Sequence, residues 1–255
     1  MGSSKAKGST KARAAEGTTK SRSAQAKNSR SGLRSWPVYF YVPNLIGYAR
    51  VFANVTAFAV CFTNKPLFAG LYLISFICDE LDGRFARMLD QTSTFGAVLD
   101  MVTDRVSTAG LLVVLSHIYK DSFLLFLGLL VLDISSHWLQ MYSTFLASKT
   151  SHKDMADSKS WILRLYYQQR IFMGYCCISC EVLYIVLFLL GKPNANILET
   201  VRTAFEEKSV LFILFLVTAP GCAIKQWINL IQMKSAADIT VLYDLQKDAK
   251  KDNSE

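Results

Sequence analysis

The sequence predicts an all-α integral membrane protein with six transmembrane helices, preceded by a disordered basic tail. Of its 255 residues, 51% are hydrophobic. They collect in runs of about 20 residues with few charges, the length at which a helix spans a bilayer. The formal net charge of +8 comes from the N-terminal end, because residues 1–35 hold nine basic residues and one acidic residue. This composition excludes a disordered chain, a collagen-like repeat and a small disulfide-stabilised scaffold.

The first 35 residues are small, polar and basic, so they cannot bury enough apolar surface to fold on their own. They contain no apolar stretch of the kind that a secretory signal needs. Stacking aromatic side chains do not interleave their charges, so no nucleic-acid partner is expected. We predict a disordered cytosolic tail that can touch anionic lipid.

The six predicted spans cover residues 43–63, 66–89, 94–118, 122–146, 165–190 and 209–232. Basic residues concentrate in the N-terminal tail, in the connection between the fourth and fifth spans, and after the sixth span. The positive-inside rule therefore places both termini, and the connection between the second and third spans, in the cytosol. The chain divides into the tail 1–35, a six-helix membrane domain 36–240, and a charged cytosolic C-terminal tail 241–255.

Four aspartates lie near the cytosolic ends of the second and third spans, where charge is costly. Asp79 and Asp82 share one helix face, and Asp100 and Asp104 share another. Each charge costs on the order of 2.5–3.5 kcal/mol near the middle of a bilayer, and less near its surface. A short connection makes the two helices antiparallel neighbours, so the four carboxylates can converge. Such an oxygen-only set suits Mg²⁺ or Mn²⁺, and it has room for two ions.

The spacing around these aspartates is specific. It reads Asp79-x2-Asp82-Gly83-x2-Ala86-Arg87-x8-Gly96-x3-Asp100-x3-Asp104. This pattern resembles the signature of the CDP-alcohol phosphatidyltransferases at every fixed position. The resemblance implies that family's six-helix fold, and transfer of a phosphatidyl group from CDP-diacylglycerol to an alcohol with release of CMP. It further implies a homodimer in the endoplasmic reticulum, with the Golgi as a further location, and an active site that faces the cytosol.

The resemblance also implies roles for individual residues. Asp79, Asp82, Asp100 and Asp104 would be metal ligands, and Asp104 would also be the general base that takes the proton from the attacking hydroxyl. The pocket for CDP-diacylglycerol would contain Gly83 and Arg87, with Ser93 as a further candidate. Asn44 and Arg50, at the start of the first span, are candidates for contact with CDP. Arg84 is interpreted as a contact with lipid headgroups, and the same contact is the alternative interpretation for Arg87 and Arg105.

The acceptor alcohol is predicted from the flanking segments 41–50, 95–105, 136–140 and 165–170, which resemble the eukaryotic members of this family that use myo-inositol. A neutral polyol needs many hydrogen-bonding partners. The candidates within the spans are Asp133, Ser136, His137, Gln140, Arg170 and Lys225. The alternative for each of them is a structural bond between helices, such as an ion pair of Asp133 with Lys225.

Three other functions stay open at this point. The acceptor could be glycerol 3-phosphate or serine, although the phosphate of the former needs additional cations. A divalent-cation transporter also carries carboxylates within the membrane, but its ligands are expected near the midplane on interrupted helices. A catalytically inactive scaffold is the third, and the intact signature argues against it.

Overall fold

The computed structural model of the chain describes residues 37–147, 161–192 and 194–252, and its regular structure there is helical. A short 3-10 helix, Val38–Phe40, precedes eight α-helices. These are α1 (Val42–Val60), α2 (Lys65–Met88), α3 (Thr94–Ile118), α4 (Phe123–Ala147), α5 (Trp161–Gln168), α6 (Arg170–Leu190), α7 (Ile197–Glu206) and α8 (Val210–Asp252). The predicted tail 1–35 lies outside the described residues, as does the basic segment 148–160.

The ends of the first three long helices follow from local sequence. Pro43 and Pro66 stand in the first turns of α1 and α2, where their missing N–H groups cost nothing. Asn64 caps α2, since its side-chain oxygen accepts a 3.0 Å hydrogen bond from the backbone of Leu67. Ser93 caps α3 in the same way. The predicted boundaries of these helices therefore agree with the structure to within a few residues.

Three features differ from the predicted segments. The fifth segment is broken at Gln169, whose backbone is not helical, so that α5 and α6 are separate. The connection to the last span contains α7, a short amphipathic helix that was not predicted. Finally, α8 continues to Asp252 and has 43 residues. At 1.5 Å per residue it is roughly 65 Å long, so it extends well beyond the thickness of a bilayer.

The predicted direct packing of the two aspartate-bearing helices is not the main contact in this part of the bundle, because α2 and α3 are joined chiefly through α1. Helix α1 contacts α2 and α3, while α8 packs against α4 and α6. At one end of the bundle the Lys65 ammonium donates to the backbone carbonyls of Phe188 and Gly191, which joins the start of α2 to the end of α6. An apolar core that includes Phe68, Leu115 and Phe126 fills this half. The polar side chains of the signature collect at the opposite end.

The outer surface of the bundle is largely apolar. Large side chains such as Leu124 and Ile171 are 78% and 89% exposed, which indicates contact with lipid. Three helical stretches are long and apolar enough to cross a membrane, namely Lys120–Leu146, Arg170–Leu190 and Val210–Ala249. The all-α membrane class is confirmed, while the total of six spans stays a prediction. Helices α2 and α3 carry the signature aspartates, which lower their mean hydropathy.

Candidate active site

Four aspartates meet around one arginine at the polar end of the bundle. Asp79 and Asp82 come from α2, and Asp100 and Asp104 from α3. Arg50 enters from α1. Its Nη1 lies 2.8 Å from Asp82 Oδ2 and 2.7 Å from Asp100 Oδ1. Its Nη2 lies 2.6 Å from Asp79 Oδ1 and 2.5 Å from Asp104 Oδ1. The predicted convergence of the two aspartate pairs is therefore present.

Arg50 has a different environment from the one predicted, because it contacts the carboxylates. Only 3% of its side chain is exposed. A signal for this burial was available in the sequence: Asn44, Gly47, Arg50 and Asn54 recur at helical spacing along α1, and all four are buried. One guanidinium against four ionised carboxylates leaves a formal charge of −3. A cluster with that charge needs further cations at or near the membrane.

The donor set fits a divalent metal. Carboxylate oxygens of Asp79, Asp82 and Asp100 lie within 4.8 Å of one another. Oxygen ligands of this kind suit hard cations such as Mg²⁺ and Mn²⁺. Asp104 borders the same cluster through its contact with Arg50. Since Arg50 occupies oxygens that the metal would use, the guanidinium and the ions compete for the same carboxylates.

Two cavities border this cluster through different aspartates. Cavity B has a volume of about 210 Å³ and reaches the carboxylates of Asp82 and Asp100. Four of the five residues that the sequence assigned to CDP or CDP-diacylglycerol line it, namely Asn44, Gly83, Arg87 and Ser93. The sequence thus selected residues that the fold brings together from three helices.

Two residues of cavity B also have structural tasks. Ser93 Oγ accepts a 2.9 Å hydrogen bond from the backbone N–H of Gly96 at the start of α3. Asn44 Nδ2 donates to the backbone carbonyl of Val38 over 2.6 Å, which holds the 3-10 helix against α1. A side chain at Gly96 would place its Cβ 2.6 Å from Asn44 Oδ1. Glycine at that position therefore permits the close approach of α1 and α3.

Cavity A has a volume of about 220 Å³ and reaches the carboxylates of Asp79 and Asp104. Of the six residues assigned to the acceptor, it is lined by Asp133, His137 and Lys225. Ser136, Gln140 and Arg170 are not among the residues that line it. Gln140 is half-buried on α4, and Arg170 is exposed at the start of α6.

The charged groups of cavity A have defined partners. Arg105 Nη1 donates to Asp133 Oδ1 over 2.7 Å, and Arg105 Nη2 lies 3.8 Å from Asp104 Oδ2. The ion pair suggested between Asp133 and Lys225 is wrong, since Arg105 pairs with Asp133 instead. The Lys225 ammonium lies over the ring of Tyr166, 5.4 Å from its centre. The interpretation of Arg105 as a headgroup contact is also wrong, because the side chain points between α3 and α4.

Glu181 of α6 completes one wall of cavity A. Its two carboxylate oxygens accept hydrogen bonds from Tyr72, over 2.8 Å, and from Thr108, over 2.7 Å. No partner for this acid could be predicted from the sequence, because neither hydroxyl residue is near it in the chain. The cavity is therefore lined by polar groups from every long helix of the bundle.

A family profile described as CDP-alcohol phosphatidyltransferase matches residues 40–233, which is most of the chain. The protein belongs to that family, a class of membrane transferases that generally use divalent metals. No solved structure matches the chain.

Three relatives of this chain, from a plant, a yeast and human, share one protein name. The chain is 60% identical over 226 residues to the CDP-diacylglycerol–inositol 3-phosphatidyltransferase 1 of Arabidopsis thaliana, which covers 88% of this chain and 99% of the relative. It is 38% identical over 200 residues to the Saccharomyces cerevisiae protein of that name, covering 78% of this chain and 86% of the relative. The human protein of that name is 35% identical over 215 residues, covering 84% of this chain and 97% of the relative.

Proposed function

We propose that this protein transfers the phosphatidyl group of CDP-diacylglycerol to a hydroxyl of myo-inositol and releases CMP. The observation that carries the proposal is that two separate cavities, A and B, border one carboxylate cluster, each through two of its four aspartates. The names of the relatives supply the two substrates. Membership in a transferase family favours this function over a cation transporter.

Cavity B would hold the nucleotide. Arg87 and Gly83 lie on one face of α2, and a Cβ at Gly83 would be 3.5 Å from the Arg87 guanidinium. The absence of a side chain at Gly83 leaves space beside that guanidinium for the diphosphate. An arginine can bind phosphate oxygens through two parallel hydrogen bonds. Asn44 and Ser93 would border the cytidine or ribose.

Asp104 is the proposed general base, because it lines cavity A and lies outside the group of three carboxylates, Asp79, Asp82 and Asp100, that come within 4.8 Å of one another. The hydroxyl oxygen of the acceptor attacks the phosphorus that bears diacylglycerol, and its proton passes to Asp104. The bond from that phosphorus to the oxygen of CMP breaks, and CMP leaves through cavity B. Two Mg²⁺ or Mn²⁺ ions, held by Asp79, Asp82, Asp100 and Asp104, would offset the charge that develops on the phosphate oxygens.

The charges of cavity A favour a neutral acceptor. Four carboxylates line it, from Asp79, Asp104, Asp133 and Glu181, against the three cations Arg50, Arg105 and Lys225. Arg50 and Arg105 are already paired with carboxylates. A phosphate group would therefore meet a wall with no surplus positive charge. This balance supports inositol over glycerol 3-phosphate, with Asp133, His137 and Lys225 as its contacts.

The location and assembly of the protein remain predictions. We propose that the bundle lies in the endoplasmic reticulum membrane with the aspartate cluster and both termini on the cytosolic side. The basic residues of the N-terminal tail support this orientation. The homodimer is likewise a prediction from the family resemblance.

The experiment that tests the proposal is CMP release by the purified, detergent-solubilised protein. CDP-diacylglycerol is supplied with Mg²⁺ or Mn²⁺, and myo-inositol, glycerol 3-phosphate and serine are compared as acceptors. We expect release with inositol only, and none when the divalent ion is chelated. Release with glycerol 3-phosphate or serine would overturn the assignment of the acceptor.

A further inference from the structure

We propose that two buried carboxamides, Asn54 of α1 and Asn229 of α8, determine specificity for the acceptor by accepting hydrogen bonds from hydroxyl groups of inositol. The proposal rests on the proposed function, and it adds two residues that neither the signature nor the flanking segments contain. Both residues line cavity A.

The first argument is the distribution of unpaired polar atoms. Within the described residues, four buried side-chain atoms have no hydrogen-bond partner, namely Arg50 Nε, Asn54 Oδ1, Asp133 Oδ2 and Asn229 Oδ1. All four residues line cavity A. A buried polar atom without a partner costs about 1–3 kcal/mol, so folded proteins keep few of them. Their concentration around one cavity indicates that a ligand in this cavity supplies the partners.

The second argument is the kind of atom. Three of the four unpaired atoms are oxygens, and all three of these accept hydrogen bonds. They come from α1, α4 and α8, so they surround the cavity on different sides. A neutral polyol carries hydroxyl donors around its whole ring. It can satisfy acceptors on several sides at once, whereas a phosphate, which offers mainly acceptors, cannot.

The third argument concerns how Asn229 is held. It is only 1% exposed, and Asn54 is 7% exposed. Asn229 Nδ2 donates to Gln226 Oε1 over 3.3 Å, and Gln226 Nε2 donates to the Tyr184 hydroxyl over 3.3 Å. This chain of bonds uses the amide nitrogen of Asn229 and leaves its oxygen for another donor. A site built to hydrogen-bond a hydroxyl rejects analogues that lack it.

The test compares Asn54→Leu and Asn229→Leu, which keep approximate side-chain volume and remove the acceptor. Gln232→Leu is the matched control, since Gln232 is a buried amide of α8 that bonds to Tyr167 and does not line cavity A. Each full-length variant is purified, and CMP release is measured with myo-inositol and with each monodeoxy-inositol. We expect KM for inositol to rise at least tenfold in the two asparagine variants. KM for CDP-diacylglycerol should stay within twofold, and the control should change neither.

The deoxy series separates direct contact from a structural effect. The wild type should lose at least tenfold in kcat/KM on the analogue that lacks the hydroxyl bound by Asn229, and Asn229→Leu should lose less than twofold on that analogue. Unchanged discrimination across the whole series in both asparagine variants would overturn the inference. If one variant does not fold, the other still provides the same comparison. Wild-type protein without inositol-dependent CMP release would instead refute the proposed function, so the two failures are distinguishable.

Discussion

At the scale of single residues, Arg50 determines how four carboxylates can share one site. Each of its terminal nitrogens contacts two aspartates, at distances from 2.5 to 2.8 Å. A guanidinium has enough donors for such a set, whereas a lysine ammonium would act as a single point charge. Arg50 therefore offsets the repulsion among the four aspartates, and divalent ions would compete with it for the same oxygens.

We expect Arg50→Gln to destabilise the metal-free protein and to enlarge its stabilisation by Mn²⁺. Removing one partner of a buried ion pair costs about 3–5 kcal/mol, and the partial exposure of these aspartates favours the lower end. Thermal unfolding in detergent, with chelator and with Mn²⁺, measures both effects. The control is Arg84→Gln, because Arg84 and Glu80 form an exposed pair worth about 0–1 kcal/mol. A Mn²⁺-induced shift no larger than that of the wild type would contradict the competition.

We expect Asp104→Asn to abolish turnover while CDP-diacylglycerol still binds. The amide keeps the size of the side chain but cannot take the proton from the acceptor hydroxyl. Asp104 does not line cavity B, so the nucleotide pocket should persist. CMP release measures the first effect, and equilibrium binding of a labelled CDP-lipid measures the second. Turnover above about one hundredth of the wild type would argue against the role as base, since such groups contribute roughly 10²–10⁴-fold.

At the scale of elements, the contact of α1 with α3 forms cavity B. It depends on Gly96, where an added Cβ would lie 2.6 Å from Asn44 Oδ1 and 3.0 Å from Ser93 Oγ. Neither oxygen can move freely. Asn44 is tied to Val38, and Ser93 caps α3. The shape of the proposed nucleotide pocket therefore depends on the close packing of these two helices.

We expect Gly96→Ala to weaken binding of CDP-diacylglycerol at least fivefold and to lower the thermal midpoint. Gly128→Ala on α4 is the matched control, because nothing lies within 4 Å of the Cβ it would add. That control should be neutral or slightly stabilising, since alanine favours helix more than glycine does. Affinity for the CDP-lipid and thermal unfolding are measured for both variants. Equal behaviour of the two variants would show that α1 and α3 tolerate more separation than the structure indicates.

The helices also show which structural features could be predicted from the sequence and which could not. Apolar runs and caps predicted six long helices, because helix length and capping are local properties. The break at Gln169 was missed, since residues 165–190 stay apolar enough to read as one span. The convergence of the four aspartates could be predicted because their spacing places each pair on one helix face, although α1, rather than direct packing of α2 on α3, brings the two helices together. The partners Arg105 and Asp133 are 28 residues apart on different helices, and no local pattern links them.

At the scale of the whole molecule, the bundle divides into two halves of different character. Aromatic and aliphatic side chains such as Phe68, Tyr119 and Phe188 fill one half, and the polar cavities occupy the other. The apolar half stabilises the bundle, and no step of the proposed reaction uses these three side chains. The signature residues all belong to the other half, at the end that the basic segments of the sequence assign to the cytosol.

We expect deletion of residues 1–35 to leave turnover within about twofold of the full chain. The sequence predicts no folded structure there, and the family profile begins at residue 40. CMP release in detergent measures the catalytic effect. Parallel assays in vesicles with and without anionic lipid serve as the control for membrane contact. Loss of activity in detergent would show that the tail takes part in the active site.

The position of the two cavities along one carboxylate cluster has a stereochemical consequence. In the proposed reaction the acceptor and CMP occupy two different cavities that border the same carboxylates, so one displacement can join the first and expel the second. Such a single displacement inverts the configuration at phosphorus, and it proceeds without a covalent intermediate between the lipid and the protein. A CDP-lipid made chiral at that phosphorus with sulfur should therefore give a product of inverted configuration.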